Sequence, residues 1–337
     1  MSLIRKPTPP PLAASLNQYG PGAYPQVKCV LLAECGSHAV VGLQMDRYDV
    51  SEVHGAYRLL CQLGPDTVLL VDAGLISGAF IEQVRERRAH LLGALEAGAW
   101  EHPKRARRLS DGSVLAWVQP SGGSVYRQHK GMWVRIISYR VTDARLGEPQ
   151  KVYRLVTTLL NPRVAPARTL IELYHERWEI ELVIDEIKTH ERAQRTVLRA
   201  KTPEGVRQEL YGIYLAHYAV RALLAASALE AEVDPDRLSF TEGLFELTEM
   251  LSWALTIEPE QQQAGQLQVR LRHKMARHVL PARRLRINRR EIKQIYHKYK
   301  PKKRDLPPPA PFEPEQQFLD FVELLDPLAS MLPVAGP

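Results

Sequence analysis

Tyr174, Arg177, Glu181 and Lys188 stand at spacings of three, four and seven residues in the stretch YHERWEIELVIDEIK, residues 174–188. An α-helix turning about 100° per residue would gather all four within an arc of roughly 60°, along about 20 Å of axis. An aromatic hydroxyl, two cations and a carboxylate on one face suit a phosphodiester and a divalent metal ion. Arg offers a bidentate fork, Lys a point charge and Tyr a hydroxyl donor. Phosphodiester hydrolysis and strand transfer need charge stabilisation and a deprotonated oxygen, and two Mg2+ ions about 3.5–4 Å apart can supply both. Mg2+ takes hard oxygen ligands, so acids must converge on it from separate elements. Asp72 is a second candidate, because it ends the apolar run DTVLLVDAG. Ligand sites of open α/β sheets lie at the carboxyl ends of strands. The bland alternatives are a solvated helix face for the stripe and a turn residue for Asp72.

The elements that must carry these groups can be read from the pattern around them. QVKCVLLAEC (26–35) reads as a strand buried on both faces, and HAVVGLQM (38–45) as its hairpin return. Residues 51–63 read as a helix with Val53, Ala56 and Leu60 on one face, and 76–90 as an amphipathic helix. GSVLAWV, MWVRIISYRV and KVYRLVTTLL then give a β-rich stretch, and the Asp111-Gly112 pair signals a hairpin. Pro166 suits the start of a long helix running to about His190. Thr202 and Pro203 open a second long helix to residue 233, and Ser239–Ile257 form a third. The proline-rich residues 1–25 read as coil. LPPPAPFEP (306–314) reads as a stiff linker before a short terminal helix, QQFLDFVELL.

The bulk numbers fit one large or two modest globular domains: 337 residues, 45% hydrophobic and 25% charged. Cys29, Cys35 and Cys61 form no metal or redox spacing, which predicts structural thiols in a reducing cytoplasm. No signal peptide and no membrane span are expected. Net charge is +7, but residues 270–304 alone carry fifteen Lys or Arg against one acid, Glu291. The rest of the chain is therefore net acidic, and the basic segment has the charge of a nucleic-acid contact surface. Arg283, Arg284, Arg286, Arg289, Arg290, Lys302, Lys303 and Arg304 are its candidates for tracking a DNA backbone.

The Tyr-x2-Arg-x3-Glu-x6-Lys spacing resembles that of DDE transposases of the insertion-sequence family four type. YRLVTTLLNP before the motif, KTPEGVRQELYGIYLAHYAVR after it, and the LRIN and KQIYHKYKPKKR segments resemble that family too. The resemblance covers roughly residues 19–304. It implies an α/β, RNase H-like fold interrupted by a β-rich insertion, followed by C-terminal helices and a basic tail. The implied organisation is a catalytic core over 26–95 and 161–258 and an insertion over 96–160. A DNA-contacting segment over 265–305 and a terminal piece over 306–337 would follow. Asp72 and Glu181 would be the second and third acids of the metal triad, loaded with Mg2+ or Mn2+. Tyr174, Arg177 and Lys188 would hold the end phosphate. Double-stranded DNA, as transposon ends and target, would be the partner of a homodimer.

The sequence departs from that family in three places. No Asp or Glu precedes Glu34, so the first triad acid has no counterpart and the chain reads as an N-terminally truncated member. Asp46 and Asp49 follow the second hairpin strand, three positions from the Asp72 strand in RNase H order, or roughly 14 Å away. Asp72-Ala73-Gly74 replaces Asp-Arg-Gly, and Gly93-Ala94-Leu95-Glu96 stands where basic hairpin residues are expected. The expected activity is metal-dependent end cleavage and strand transfer by a cut-and-paste transposase. A catalytically dead DNA-binding remnant, or a domesticated transposase, is the alternative. A partner-binding protein using the terminal helix is a third reading, against which the basic segment argues.

Overall fold

The computed structural model describes residues 14–17, 20–96, 98–100, 103, 105–119, 131–191, 198–256, 264–281, 310–313 and 315–328. The chain divides into two compact units, Met1–Leu63 with Glu176–Ala282, and Gly64–His175 with Arg283–Pro337. Both mix helix and strand, as the α/β expectation required.

The first unit opens with strands β1 (Ala14–Asn17) and β2 (Gly20–Pro25), paired antiparallel. The coil expected over residues 1–25 is corrected over 14–17 and 20–25, and the rest of that stretch lies outside the described residues. Prolines were the reason for expecting coil, yet each strand of a two-stranded ribbon is an edge, where proline is tolerated. A second hairpin follows, β3 (Val27–Ala33) and β4 (Val40–Arg47), as the apolar pattern predicts. Neither strand is buried on both faces: every residue of β3 is half-exposed. The pair forms a two-stranded sheet by itself, so it lacks the flanking strands that would enclose it. Helix α1 (Glu52–Leu59), capped by the Ser51 hydroxyl, packs on it through Gly55. A Cβ at Gly55 would lie 2.6 Å from a methyl of Val30, so the close approach requires glycine.

The second unit is built on one mixed sheet. Strand β5 (Val68–Val71) runs parallel to β6 (His90–Ala94), with helix α2 (Gly78–Glu86) in the crossover. Then come β7 (Ala106–Arg108), β8 (Val114–Val118), β9 (Met132–Val141) and β10 (Val152–Thr157). The order across the sheet is β5-β6-β10-β9-β8-β7. Residues 106–157 thus extend the sheet that carries Asp72. The Asp111-Gly112 turn joins β7 to β8 as its sequence signals, with Gly112 at φ 82°. Helix α3 (Ala167–His175) lays Ala167, Leu170 and Ile171 on a core with Leu92, Ile137, Tyr139 and Leu155.

The long helix predicted from Pro166 to His190 is not a single α-helix. After α3 the chain makes a 3-10 turn (Glu176–Trp178), then α4 (Glu179–Asp185), then a π turn (Glu186–Glu191). A 3-10 turn holds three residues and a π turn more than 3.6. The 100° rule behind the four-residue stripe therefore fails across these turns. Helices α5 (Pro203–Glu230) and α6 (Phe240–Ala254) follow, capped by Thr202 and Ser239 as their sequences indicate. Helix α7 (Ala264–Met275) joins them around Val220, Leu224, Phe240, Leu271 and Met275. Against the expectation of no membrane-length apolar run, α5 is long and apolar enough to cross a membrane. Here it packs against α6, α7 and strand β4.

The predicted terminal helix is corrected as well. Phe318–Phe321 form a 3-10 turn, and Val322–Leu325 become strand β11 on β9. Strand β8 pairs β9 only over Met132–Ile136, leaving the backbone of Ser138–Val141 on that edge to be satisfied. Strand pairing wins because it fills those hydrogen bonds and buries Val322.

Candidate active site

Strand β5 ends at buried Val71, and Asp72 leaves it exposed and extended before a 3-10 turn, Ala73–Leu75. The Leu75 N–H donates to the Asp72 carbonyl at 3.1 Å, which fixes the exit of the chain. The Tyr174 hydroxyl donates to the Val71 carbonyl at 3.4 Å. Two residues singled out from sequence are thereby brought to one strand end of the sheet unit. The Tyr174 ring packs against the apolar core, so its hydroxyl is the part held at this end. Gly93-Ala94-Leu95-Glu96, where basic residues were sought, is β6 and its exit. A Cβ at Gly93 would lie 2.6 Å from Ile76 Cδ1 and 2.8 Å from Val71 Cγ2, so glycine supports the Asp72 exit there.

The remaining motif residues belong to the helical unit. Arg177 is half-buried in the 3-10 turn, Glu181 is exposed in the first turn of α4, and Lys188 is exposed in the π turn. Burial raises the Cys29 thiol pKa, against the opposing pull of a Tyr214 hydrogen bond and the Lys188 charge. Trp178, beside Arg177 in the 3-10 turn, is 37% exposed. Asp185 is exposed and accepts a 2.8 Å hydrogen bond from the Thr189 hydroxyl. His175 lies against Phe318, ring centroids 3.8 Å apart.

The buried face of α4 and the π turn holds a cluster that the spacing of Tyr174, Arg177, Glu181 and Lys188 does not reveal. His38, from the β3–β4 turn, meets Glu179 Oε2 through Nε2 at 2.7 Å and Glu186 Oε1 through Nδ1 at 3.3 Å. Arg221 of α5 donates through Nε to Glu186 Oε2 at 3.0 Å and through a terminal nitrogen to Glu186 Oε1. His217, fully buried, reaches Glu186 Oε2 at 3.0 Å. Burial pushes the Glu186 carboxyl pKa up, but hydrogen bonds from His217 and His38 and the Arg221 charge hold it far below the usual range. Burial likewise depresses the His38 pKa, and the hydrogen bonds to Glu179 and Glu186 overcome this, so His38 favours its proton. Two carboxylates, one guanidinium and one imidazolium then leave no net charge on these four groups. The pair Glu179 and Glu186 repeats the seven-residue spacing of Glu181 and Lys188, two positions earlier.

The sheet unit has its own buried cation. Arg135 is fully buried and bonds Asp111, the Ser113 hydroxyl at 2.7 Å and the Ala165 carbonyl at 2.5 Å. Asp111 Oδ2 also accepts from the Ala167 N–H at 2.8 Å. That contact ties the start of α3, which carries Tyr174, to the β7–β8 turn.

Among the described residues no group of three or more His, Cys, Asp or Glu is disposed to hold a metal ion. Asp72 and Glu181 are exposed carboxylates, and as hard oxygen donors they fit Mg2+ or Mn2+. Arg283, Arg284, Arg286, Arg289, Arg290, Lys302, Lys303 and Arg304 lie outside the described residues.

The family model described as "Transposase DDE domain" matches residues 4–219. The chain therefore belongs to the DDE transposase domain family. Within it the chain is of the insertion sequence IS4 type. The transposase InsG for insertion sequence element IS4 of Escherichia coli (strain K12) is 31% identical over 234 residues. That match covers 68% of this chain and 52% of the relative, so the chain spans about half the relative's length. A solved structure, the piggyBac transposase synaptic complex with hairpin DNA, matches with a TM-score of 0.37 at 12% identity. It covers 74% of this chain and 47% of that one, a likeness too loose to carry an argument.

Proposed function

We propose that this chain acts on double-stranded DNA as a transposase of a cut-and-paste insertion sequence. Its core would be RNase H-like over residues 26–95 and 161–258, with 96–160 as the β-rich insertion. It would work in the cytoplasm, as a homodimer on paired ends. The observation that carries this reading is the end of β5, where exposed Asp72 leaves the strand beside the Tyr174 hydroxyl. Asp72 and Glu181 are the carboxylates that would hold the divalent cation. When bound, that ion supplies charge stabilisation and an activated oxygen nucleophile. Arg177 and Lys188 would clamp the end phosphate, and the Tyr174 hydroxyl would orient it. The basic stretch over 265–305 would follow the DNA backbone.

The test is cleavage of a duplex bearing the element's end, in Mg2+ or Mn2+. Asp72→Asn and Glu181→Gln should each abolish nicking and leave duplex affinity within about twofold, because neither removes a cation that neutralises phosphate. Wild-type nicking that survives Asp72→Asn would sink the assignment of Asp72.

A binding-only relative is the second reading, and the state of the other acids favours it. Asp46 is paired with Arg58 at 2.7 Å, Asp49 with Arg47 at 2.8 Å, and Glu186 is locked in the buried cluster. None of the three is held ready as a further metal ligand. Duplex binding with steep salt dependence, but no nicking in either metal, would establish this reading instead.

A further inference from the structure

We infer that the β7 edge of the large sheet is a second anchor for the phosphate backbone of duplex DNA, distinct from the basic C-terminal segment. This rests on the DNA-acting reading above. Strand β7 is the terminal strand, and Arg105, Ala106, Arg107 and Arg108 are all exposed. Arg108 is neutralised: its Nε and a terminal nitrogen reach Asp326 Oδ2 at 3.0 and 2.6 Å. Arg105 and Arg107 have no ion pair with any described residue.

Arg107 lies in β7 and Arg105 directly precedes it, so the two guanidinium groups leave the same edge from backbone positions about 7 Å apart. The residues opposite them bring no acid. Arg107 pairs with Leu115, and the Trp117 N–H donates to the Arg105 carbonyl at 2.8 Å. Trp133 lies one strand further in, edge-on to Trp117. The nearest acid in the turn, Asp111, is committed to Arg135 and the start of α3. The result is two uncompensated, always-charged guanidinium groups beside half-exposed indoles, a surface suited to a polyanion rather than to an apolar partner.

The register of the sheet places this patch relative to Asp72. One row crosses the sheet through Val71, Gly93, Val156, Ile136, Val114 and Arg108. Arg107 is one residue from that row at one end and Asp72 one residue from it at the other. Five strand steps separate them, about 24 Å at roughly 4.8 Å per step. At about 3.4 Å per base pair this is about seven base pairs of duplex. A duplex whose scissile phosphate sits at Asp72 could reach the β7 arginines within the same turn or the next.

The experiment titrates the full chain into a fluorescent end-containing duplex of about 30 base pairs across rising salt, reading anisotropy. Arg105→Gln with Arg107→Gln should flatten the slope of log affinity against log salt by about 1.8, at about 0.9 per phosphate contact. The affinity gap from wild type then shrinks about twelvefold between about 50 and 200 mM salt. The double substitution to Lys keeps the charge and should keep the wild-type slope. Arg108→Gln, already neutralised by Asp326, should leave it unchanged. A double-Gln slope equal to wild type, with duplex binding intact, overturns the proposal and spares the broader reading. Unchanged binding accompanied by new aggregation also overturns it, making the arginines guards of an open edge. No duplex affinity in the wild type overturns both.

Discussion

The helical unit and the sheet unit treat buried charge differently. In the first, His38, Glu179, Glu186, His217 and Arg221 come together from the hairpin turn, the motif helix and α5, in an interior where none is more than 8% exposed. In the second, the interior is mostly alternating strand residues such as Leu92, Val134, Ile136 and Leu155. Its Arg135 meets an acid, Asp111, whose side chain is 19% exposed. A salt bridge open to water at one end can rehydrate when broken, whereas a closed cluster leaves its remaining charges stranded. The helical unit therefore uses charge to specify how the segment bearing Glu181 sits on the β3–β4 hairpin. The sheet unit uses apolar packing and register.

The largest expected effect tests that contrast directly. Arg221→Met removes the guanidinium from Glu186 and leaves His38, shared with Glu179, and His217 as its partners in the cluster. We expect it to cost the helical unit about 3–5 kcal/mol, the usual penalty for stranding a buried partner. Urea unfolding followed by far-UV circular dichroism would show it. Arg135→Met should cost less, about 1–3 kcal/mol, since Asp111 can turn to water. Equal losses in the two variants would erase the distinction between the units.

Overpacking should come next. Gly93→Ala drives a methyl group into Ile76 and Val71, beside the Asp72 exit, and should cost about 1–3 kcal/mol. It should also reduce end cleavage at least as strongly as it reduces stability. A fully active, fully stable Gly93→Ala protein would show that the close approach does not set the position of Asp72.

The smallest effect is a pH dependence. His38 is held protonated by Glu179 and Glu186 against burial and the Arg221 charge, with His217 on the far side of Glu186. A raised imidazole pKa contributes stability that is complete below the unfolded value, about 6.5, and is lost as pH rises through the folded value. Glu186, shifted the other way, keeps its contribution above its unfolded value near about 4.3 and loses it only in strong acid. Wild-type Tm should therefore decline as pH rises above about 6.5, and His38→Gln should remove that decline. A decline that persists in His38→Gln would place the titrating group elsewhere.

Much of the local architecture was legible from residue order. The Asp111-Gly112 turn, the Ser51, Thr202 and Ser239 caps and the strand ending at Asp72 all obey rules that act over a few residues. The motif spacing was enough to indicate the family, because four residue types at fixed intervals carry information without any coordinates.

Tertiary structure decided the rest. Periodicity says which residues share a helix face, but not which face water sees. Glu179 and Glu186 recur at the same interval as Glu181 and Lys188, and only His38, His217 and Arg221 determine that the first pair is buried. Those partners lie up to 148 residues away along the chain. The 3-10 and π turns that break the motif helix are invisible to propensity, since every residue there is an acceptable helix former. Likewise, VELL could have lain as a helix turn. It became a strand because the edge of β9 beyond β8 offered unfilled backbone hydrogen bonds, a demand that exists only once the sheet has formed.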